Sequence, residues 1–269
     1  MTIQEKIAPL GHTIIALSAP ITGLSASQKA SEWAEYINEV SGPIEQRPVI
    51  VIVPFSNLDE ALEFAALAPV KTNFRFVAAC YNGAFDQIPQ IAASVAAALA
   101  DSNDPALPFN GYNLTGLKPV QDQHKLTWER IENALQNGVC MIDTGADGVP
   151  EIVRAMSTYQ ANPLNGDPDD IVADINGALV LDYTRKVVRA AIKRNGRRKN
   201  TVRERKNLRS LVLVELLKLE DAEILQNVRA RANELVVLED NTDRSRANVK
   251  IPADWVRGMH VVAATLDIY

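Results

Sequence analysis

Lysine and arginine, rather than histidine, cysteine or serine, are the residues whose density in this sequence points to chemistry. Twelve of them fall in one window: Arg185, Lys186, Arg189, Lys193, Arg194, Arg197, Arg198, Lys199, Arg203, Arg205, Lys206 and Arg209, against the single acid Glu204. The window carries +11 and the rest of the chain −16, for a formal net charge of −5. Such a cluster repels itself unless something acidic lies near. Three surroundings fit it: water over a solvated helix face, the phosphates of a nucleic acid, or an acidic protein surface. Nucleic acid is disfavoured, because the window lacks an aromatic residue for base stacking, the whole chain is acidic and no recognition module is visible.

The residue types of ordinary catalysis are sparse. His12, His124 and His260 are scattered, without a second His, Cys or carboxylate at a ligand spacing, so no metal is expected. Cys80 and Cys140 each lie in an apolar run, FRFVAAC and GVCMID, the setting of reduced, buried thiols. Gly145 and Gly148 lack the lysine and the following helix of a phosphate loop, since IVRAMSTY alternates like a strand. No Gly-x-Ser-x-Gly elbow occurs. An open α/β enzyme would place its site near Pro54–Asn57 and Tyr81–Gly83, and these segments hold no nucleophile together with a base. The chain therefore reads as a non-enzyme with no catalytic residue and no cofactor. It has no apolar run of the roughly 20 residues that span a bilayer, so no membrane insertion is expected, and its N-terminus is unlike a signal peptide, which places synthesis in a cytoplasm.

The elements that carry these residues follow from periodicity. His12–Leu17 reads as a short strand and Ser25–Val40 as a helix with Trp33, Tyr36, Ile37 and Val40 on its buried face. Arg47–Phe55 and Phe74–Tyr81 are continuous apolar runs, the pattern of strands covered on both faces. Helices over Leu58–Ala68, Ile88–Ala100 and Thr127–Gln136 alternate with them, which predicts an α/β fold with a mixed sheet flanked by helices. Val139–Asp143 and Glu151–Tyr159 read as an antiparallel pair.

Two long helices follow. The first is predicted to open at Asp167-Pro168, with Asp167, Asp169 and Asp170 at its positive end and Lys193 and Arg194 at its negative end. Ile171, Ile175, Leu179, Tyr183 and Val187 give it a buried face, and Asn195-Gly196 ends it. The second covers roughly Val202 to Gln226 and buries Leu208, Leu211, Val212, Leu216, Leu219 and Ile224. Strands are predicted at Glu234–Glu239, Ala247–Ile251 and His260–Tyr269. An apolar strand such as the last is an aggregation liability unless a partner pairs with it.

The stretch EIVRAMSTYQANPLNG, Glu151–Gly166, followed by DPDDIVADINGALVLDYTRKVVR, Asp167–Arg189, resembles the C-terminal domain of contractile phage tail sheath proteins, most closely the Mu-like kind. In that family a strand of the form (I/V)-x-R-A-x-(S/T)-T-Y-Q-x-N precedes an Asp-rich helix start and a helix bearing Y-x-R. The similarity is specific from Gly138 to Tyr269 and looser in element order over residues 47–136. Family members are commonly longer, so the resemblance points to a minimal sheath subunit or a sheath-related terminator of the same tail.

That resemblance implies a mechanical role: a homo-oligomer of stacked hexameric rings around a tail tube protein, meeting baseplate and tail terminator proteins, in the virion after assembly in the host cytoplasm. Terminal arms join subunits by adding strands to neighbouring sheets. Residues 1–22 are then an N-terminal arm or the first core strand, 23–257 the α/β core including the basic helical hairpin 167–227, and 258–269 the C-terminal β-arm. The arm's strand is His260, Val261, Val262, Ala263, Ala264, Thr265, Leu266, Asp267, Ile268 and Tyr269. The twelve cations become an interface to the tube or to a neighbouring subunit.

Overall fold

A computed structural model describes residues 3–42, 45, 47–194, 196–252 and 254–260. They divide into two units. The first holds the described residues up to Asn103, Leu107–Ala178 and Met259–His260; the second holds Asp104–Ala106 and Leu179–Gly258.

In the first unit, α1 (Ile3–Ile7) and a 3-10 turn (Ala8–Leu10) lead to β1 (Ile14–Ala16) and α2 (Ala26–Ser41). Next come β2 (Ile50–Phe55), α3 (Leu58–Ala65), α4 (Ala68–Lys71), β3 (Phe76–Cys80), α5 (Ile88–Asp101) and β4 (Tyr112–Asn113). α6 (Trp128–Gln136), β5 (Val139–Thr144) and β6 (Pro150–Arg154) complete it. The strands form one mixed sheet in the order β1-β2-β3-β5-β6-β4. β1, β2, β3 and β5 run parallel, and β6 and β4 are added antiparallel.

Every residue of β2 and β3 is buried, because helices cover both sheet faces. Successive strand side chains alternate in direction. Val51, Val53 and Phe55 accordingly join Trp33, Ile37 and Phe64 in one cluster, while the alternate residues Ile50 and Ile52 are buried too and α5 packs on β1, β2 and β3. The Phe64 ring joins that cluster tilted 39° to Phe55 at 5.4 Å and edge-on to Phe76 at 5.8 Å. Asn57 starts α3 by accepting a hydrogen bond from the Asp59 amide at 2.8 Å.

The second unit is built on two helices of 20 residues each, α7 (Ile175–Arg194), whose first turn lies in the first unit, and α8 (Val202–Asp221). β7 (Leu225–Gln226), β8 (Val236–Glu239), β9 (Ala247–Lys250) and β10 (Asp254–Trp255) form two antiparallel pairs, β7 with β10 and β8 with β9. Val180, Val188, Val212, Leu216, Leu219, Ile224 and Leu235 make its core.

Five expectations about this region are corrected. α7 starts at Ile175, not at Asp167. The intervening acids act in turns instead: Asp169 accepts from the Ile171 amide at 2.9 Å and from the Tyr159 hydroxyl at 2.8 Å, and Asp167 accepts from Asn165 at 2.6 Å. Ile175 is buried as expected, but beyond Ala178 the buried stripe of α7 is Val180, Thr184, Val188 and Ala191, one position away from Leu179, Tyr183 and Val187; Tyr183 and Ile171 are exposed. β6 ends at Arg154 rather than Tyr159, because the next residues bond elsewhere, with the Thr158 amide donating to Phe76 O at 3.0 Å. α8 stops at Asp221, before the left-handed Glu223 (φ 57°), so Leu225 and Gln226 are strand. Of the expected arm strand His260–Tyr269, His260 is not in a strand, and Val261–Tyr269 lie outside the described residues.

Candidate functional site

The twelve cations are carried by the last three turns of α7, the turn after it and the first two turns of α8. Thr201 starts α8: its hydroxyl accepts from the Glu204 amide at 3.2 Å, so the window's one acid sits where the helix dipole favours it. Three of the arginines turn inward and brace the second unit. Arg198 pairs with Glu204 at 3.4 Å. Arg205 reaches Glu239 of β8 at 2.9 Å and Asn200 Oδ1 at 2.8 Å. Arg209 donates to the carbonyls of Leu235 and Ala232, both at 2.6 Å.

The other nine are exposed: Arg185, Lys186, Arg189, Lys193 and Arg194 on α7, Arg197 and Lys199 in the turn, Arg203 and Lys206 on α8. Arg194 lies 3.7 Å from Glu215 but stays largely in solvent. The exposed positions of α8 recur every three or four residues, at Arg203, Lys206, Ser210, Val214 and Lys218, which makes one outward stripe. A surface of this kind can hold a polyanionic partner by many weak, screened contacts rather than by one strong one.

The polar side chains of Ser157–Gln160 hold the fold together. Thr158, fully buried, donates its hydroxyl to Val70 O or Asn73 O, both at 3.0 Å. Ser157 Oγ donates to Val172 O at 2.8 Å. Gln160 Nε2 donates to Asn137 O at 3.0 Å and Ala65 O at 3.2 Å. Burial and the hydrogen bond to Asp169 push the Tyr159 hydroxyl up to about 12. Gly138 makes room for this knot: at φ 72°, any Cβ would lie 3.0 Å from Ser157 O. Thr158→Val keeps the shape and removes this donor; Val70 O still accepts from the Asn73 amide at 2.9 Å, so the loss falls on Asn73 O and is expected to lower the unfolding free energy by about 1–3 kcal/mol in urea denaturation.

Below that knot, Arg154 grips Asp174 with two bonds, Nε to Oδ1 at 2.8 Å and Nη2 to Oδ2 at 2.9 Å. Burial pushes the Asp174 carboxyl up, but the adjacent His260 ring and the hydrogen bonds and charge of Arg154 outweigh it and bring it down to about 2. His260 sits with Nε2 3.4 Å from Asp174 Oδ2 and Nδ1 2.7 Å from Asn110 Oδ1. Sequence reasoning missed this group, whose members are far apart in the chain.

At the carboxyl ends of β2 and β3 the polar side chains serve the fold. Asn82 accepts from the Leu58 amide at 3.2 Å and donates to His124 O at 2.8 Å. The Tyr81 hydroxyl lies 2.9 Å from Thr144 Oγ1 and accepts from the Val120 amide at 3.1 Å. The pocket there, lined by Tyr81, Asn82 and His124, has a volume of about 10 Å³, room for a single water. Among the described residues no three His, Cys, Asp or Glu are grouped to hold a metal, and no helix is long and apolar enough to cross a membrane. Cys80 and Cys140 are free and buried; desolvation pushes both thiols up, that of Cys140 to about 12.

Residues 167–269 match the family described as phage tail sheath C-terminal domain. No curated protein is significantly similar in sequence. Among solved structures, the sheath tail protein of Desulfitobacterium hafniense superposes with a TM-score of 0.67 at 16% identity, over 95% of this chain and 56% of that one. That of Listeria innocua gives 0.67 at 14% identity, over 94% and 56%. The contracted helical sheath of the anti-feeding prophage gives 0.59 at 14% identity, over 99% of this chain and 72% of that one. The chain thus spans a little over half the length of the two bacterial sheath tail proteins. The chain is thus similar to phage tail sheath C-terminal domains over residues 167–269, and nearly its whole length shares the fold of the sheath tail proteins.

Proposed function

We propose that the chain is a structural subunit of a contractile tail sheath, which assembles as stacked hexameric rings around a tail tube and contracts to drive the tube through a host envelope. The observation that carries this reading is the match of residues 167–269 to phage tail sheath C-terminal domains, on a chain that superposes on sheath tail proteins over nearly its whole length. The nine exposed cations of α7, α8 and the turn between them supply an interface for acidic surface on the tube or on a neighbouring subunit. Baseplate and terminator proteins are the further partners, in the virion tail after assembly in the host cytoplasm; a chain of the anti-feeding prophage baseplate shares the fold with a TM-score of 0.60. The role is mechanical and involves no catalytic step. Val261–Tyr269 is the arm that adds a strand to a neighbour, since main-chain bonds join chains with little demand on sequence.

Deleting residues 261–269 tests the arm. The truncated chain is expected to keep its circular dichroism spectrum and melting temperature but to sediment as separate subunits where the full chain forms sheath. A truncated chain that assembles like the full one would overturn the arm's role.

A further inference from the structure

The group formed by Arg154, Asp174, Asn110 and His260 is absorbed neither by the basic surface nor by the knot around Thr158. All four residues belong to the first unit. Three of them lie close in sequence to the places where the chain passes into or out of the second: Asn110 shortly after Leu107, Asp174 shortly before Leu179, His260 two residues after Gly258. Asn176 adds a tie of the same kind, its buried side chain donating to Leu107 O at 2.8 Å.

The chemistry of the contact is directional. Asn110 Nδ2 donates to His260 O at 3.4 Å, which orients the amide so that its Oδ1 accepts from His260 Nδ1 at 2.7 Å. The other ring nitrogen, Nε2, is buried and has as its neighbour the Asp174 carboxylate at 3.4 Å, a pair that is ionic whenever the ring is protonated. Asp174 is itself held by the two-pronged grip of Arg154 at the end of β6, so the imidazole rests against a carboxylate fixed to the central sheet. The His260 side chain is 14% exposed and that of Asp174 8%. One ring nitrogen and the carbonyl of His260 are therefore hydrogen-bonded to Asn110 at the last residue before Val261, while Nε2 makes no hydrogen bond and is held beside Asp174 by proximity and charge alone.

We propose that His260 is a peg, seated between Asn110 and Asp174, that fixes the root of the C-terminal segment 261–269 to the first unit and passes any pull on that segment through Arg154 into the sheet. The significance of such an anchor rests on the strand-adding role proposed for 261–269, because an arm shared with a neighbour transmits force only if its root is held. His260 is then a positioning residue: it makes no contact with the neighbour and sets where the arm leaves the body.

The test uses the full chain in its unassembled, soluble form. In hydrogen–deuterium exchange, His260→Ala and Asn110→Ala are each expected to raise exchange across residues 256–262 about tenfold, the loss of one such contact, while peptides from β2 and β3 keep wild-type protection. Unchanged exchange at 256–262 in both variants would overturn the peg, whatever the protein does in assembly. Assembly is scored separately. If exchange rises while sheaths form normally and withstand shear like wild type, the peg stands and the arm's role in assembly falls; if exchange rises and sheaths fail or fragment, both stand.

Discussion

Arg154→Ala is expected to destabilise the protein by about 3 kcal/mol, the cost of leaving a buried carboxylate without its main partner. The size follows from geometry: Asp174 is only 8% exposed, its two oxygens are gripped at 2.8 and 2.9 Å, and His260 at 3.4 Å is too distant to replace the guanidinium. The same pair sets an acid limit. Because the folded Asp174 carboxyl titrates at about 2, below its ordinary 3.8, it contributes stability that is complete above pH 4 or so and is lost as pH falls toward 2. That contribution is on the order of 2 kcal/mol. Asp174→Asn keeps the shape and removes the charge, so its stability between about pH 4 and pH 2 should fall less steeply than that of the wild type. Urea denaturation at a series of pH values measures both effects; parallel pH profiles for wild type and Asp174→Asn would contradict the assignment.

Reversing the outward charges should act on assembly and spare the fold. Arg197→Glu, Lys199→Glu, Arg203→Glu and Lys206→Glu change only exposed residues, and together take the basic window from +11 to +3. Arg198 is left in place, because a carboxylate there would face Glu204 at the start of α8. Each exposed ion pair contributes about 0–1 kcal/mol, too little to matter alone, yet every subunit of a ring repeats the loss. The fourfold variant is therefore expected to melt within a few degrees of the wild type and to fail to form sheath on tubes. Salt should mimic it, since the screening length falls from about 10 Å at 0.1 M to about 3 Å at 1 M. Sedimentation at both ionic strengths checks the prediction, and undiminished assembly of the variant would remove the basic surface from the interface.

Local pattern was enough for the sheet. The β-branched run at Ile50–Phe55, the apolar runs at Phe76–Cys80 and Val139–Ile142 and the alternation within Pro150–Arg154 each describe an environment that the strand itself reports. It was not enough for the phase of α7. Leu179-Val180 and Val187-Val188 are apolar doublets, so two stripes one residue apart satisfy the helical period equally, and only packing against Val212 and Leu216 selects Val180 and Val188. Asp167-Pro168 has the composition of a helix start, but Pro168 bridges Ala161 and Asp169 is bound by Tyr159, contacts that periodicity does not encode. The basic window announced itself, whereas its division into braces and outward charges did not: Arg205 finds Glu239 34 residues away. His260 and Asn110, 150 residues apart, are legible only in three dimensions.

The central claim is that this chain builds a sheath, and electron microscopy of the purified protein, alone and mixed with tail tubes, tests it most directly. Striated tubes or six-fold rings are the predicted result, with the basic face of each subunit turned to the tube or to the next subunit. A particle that stays monomeric under every condition, tubes included, would contradict the account.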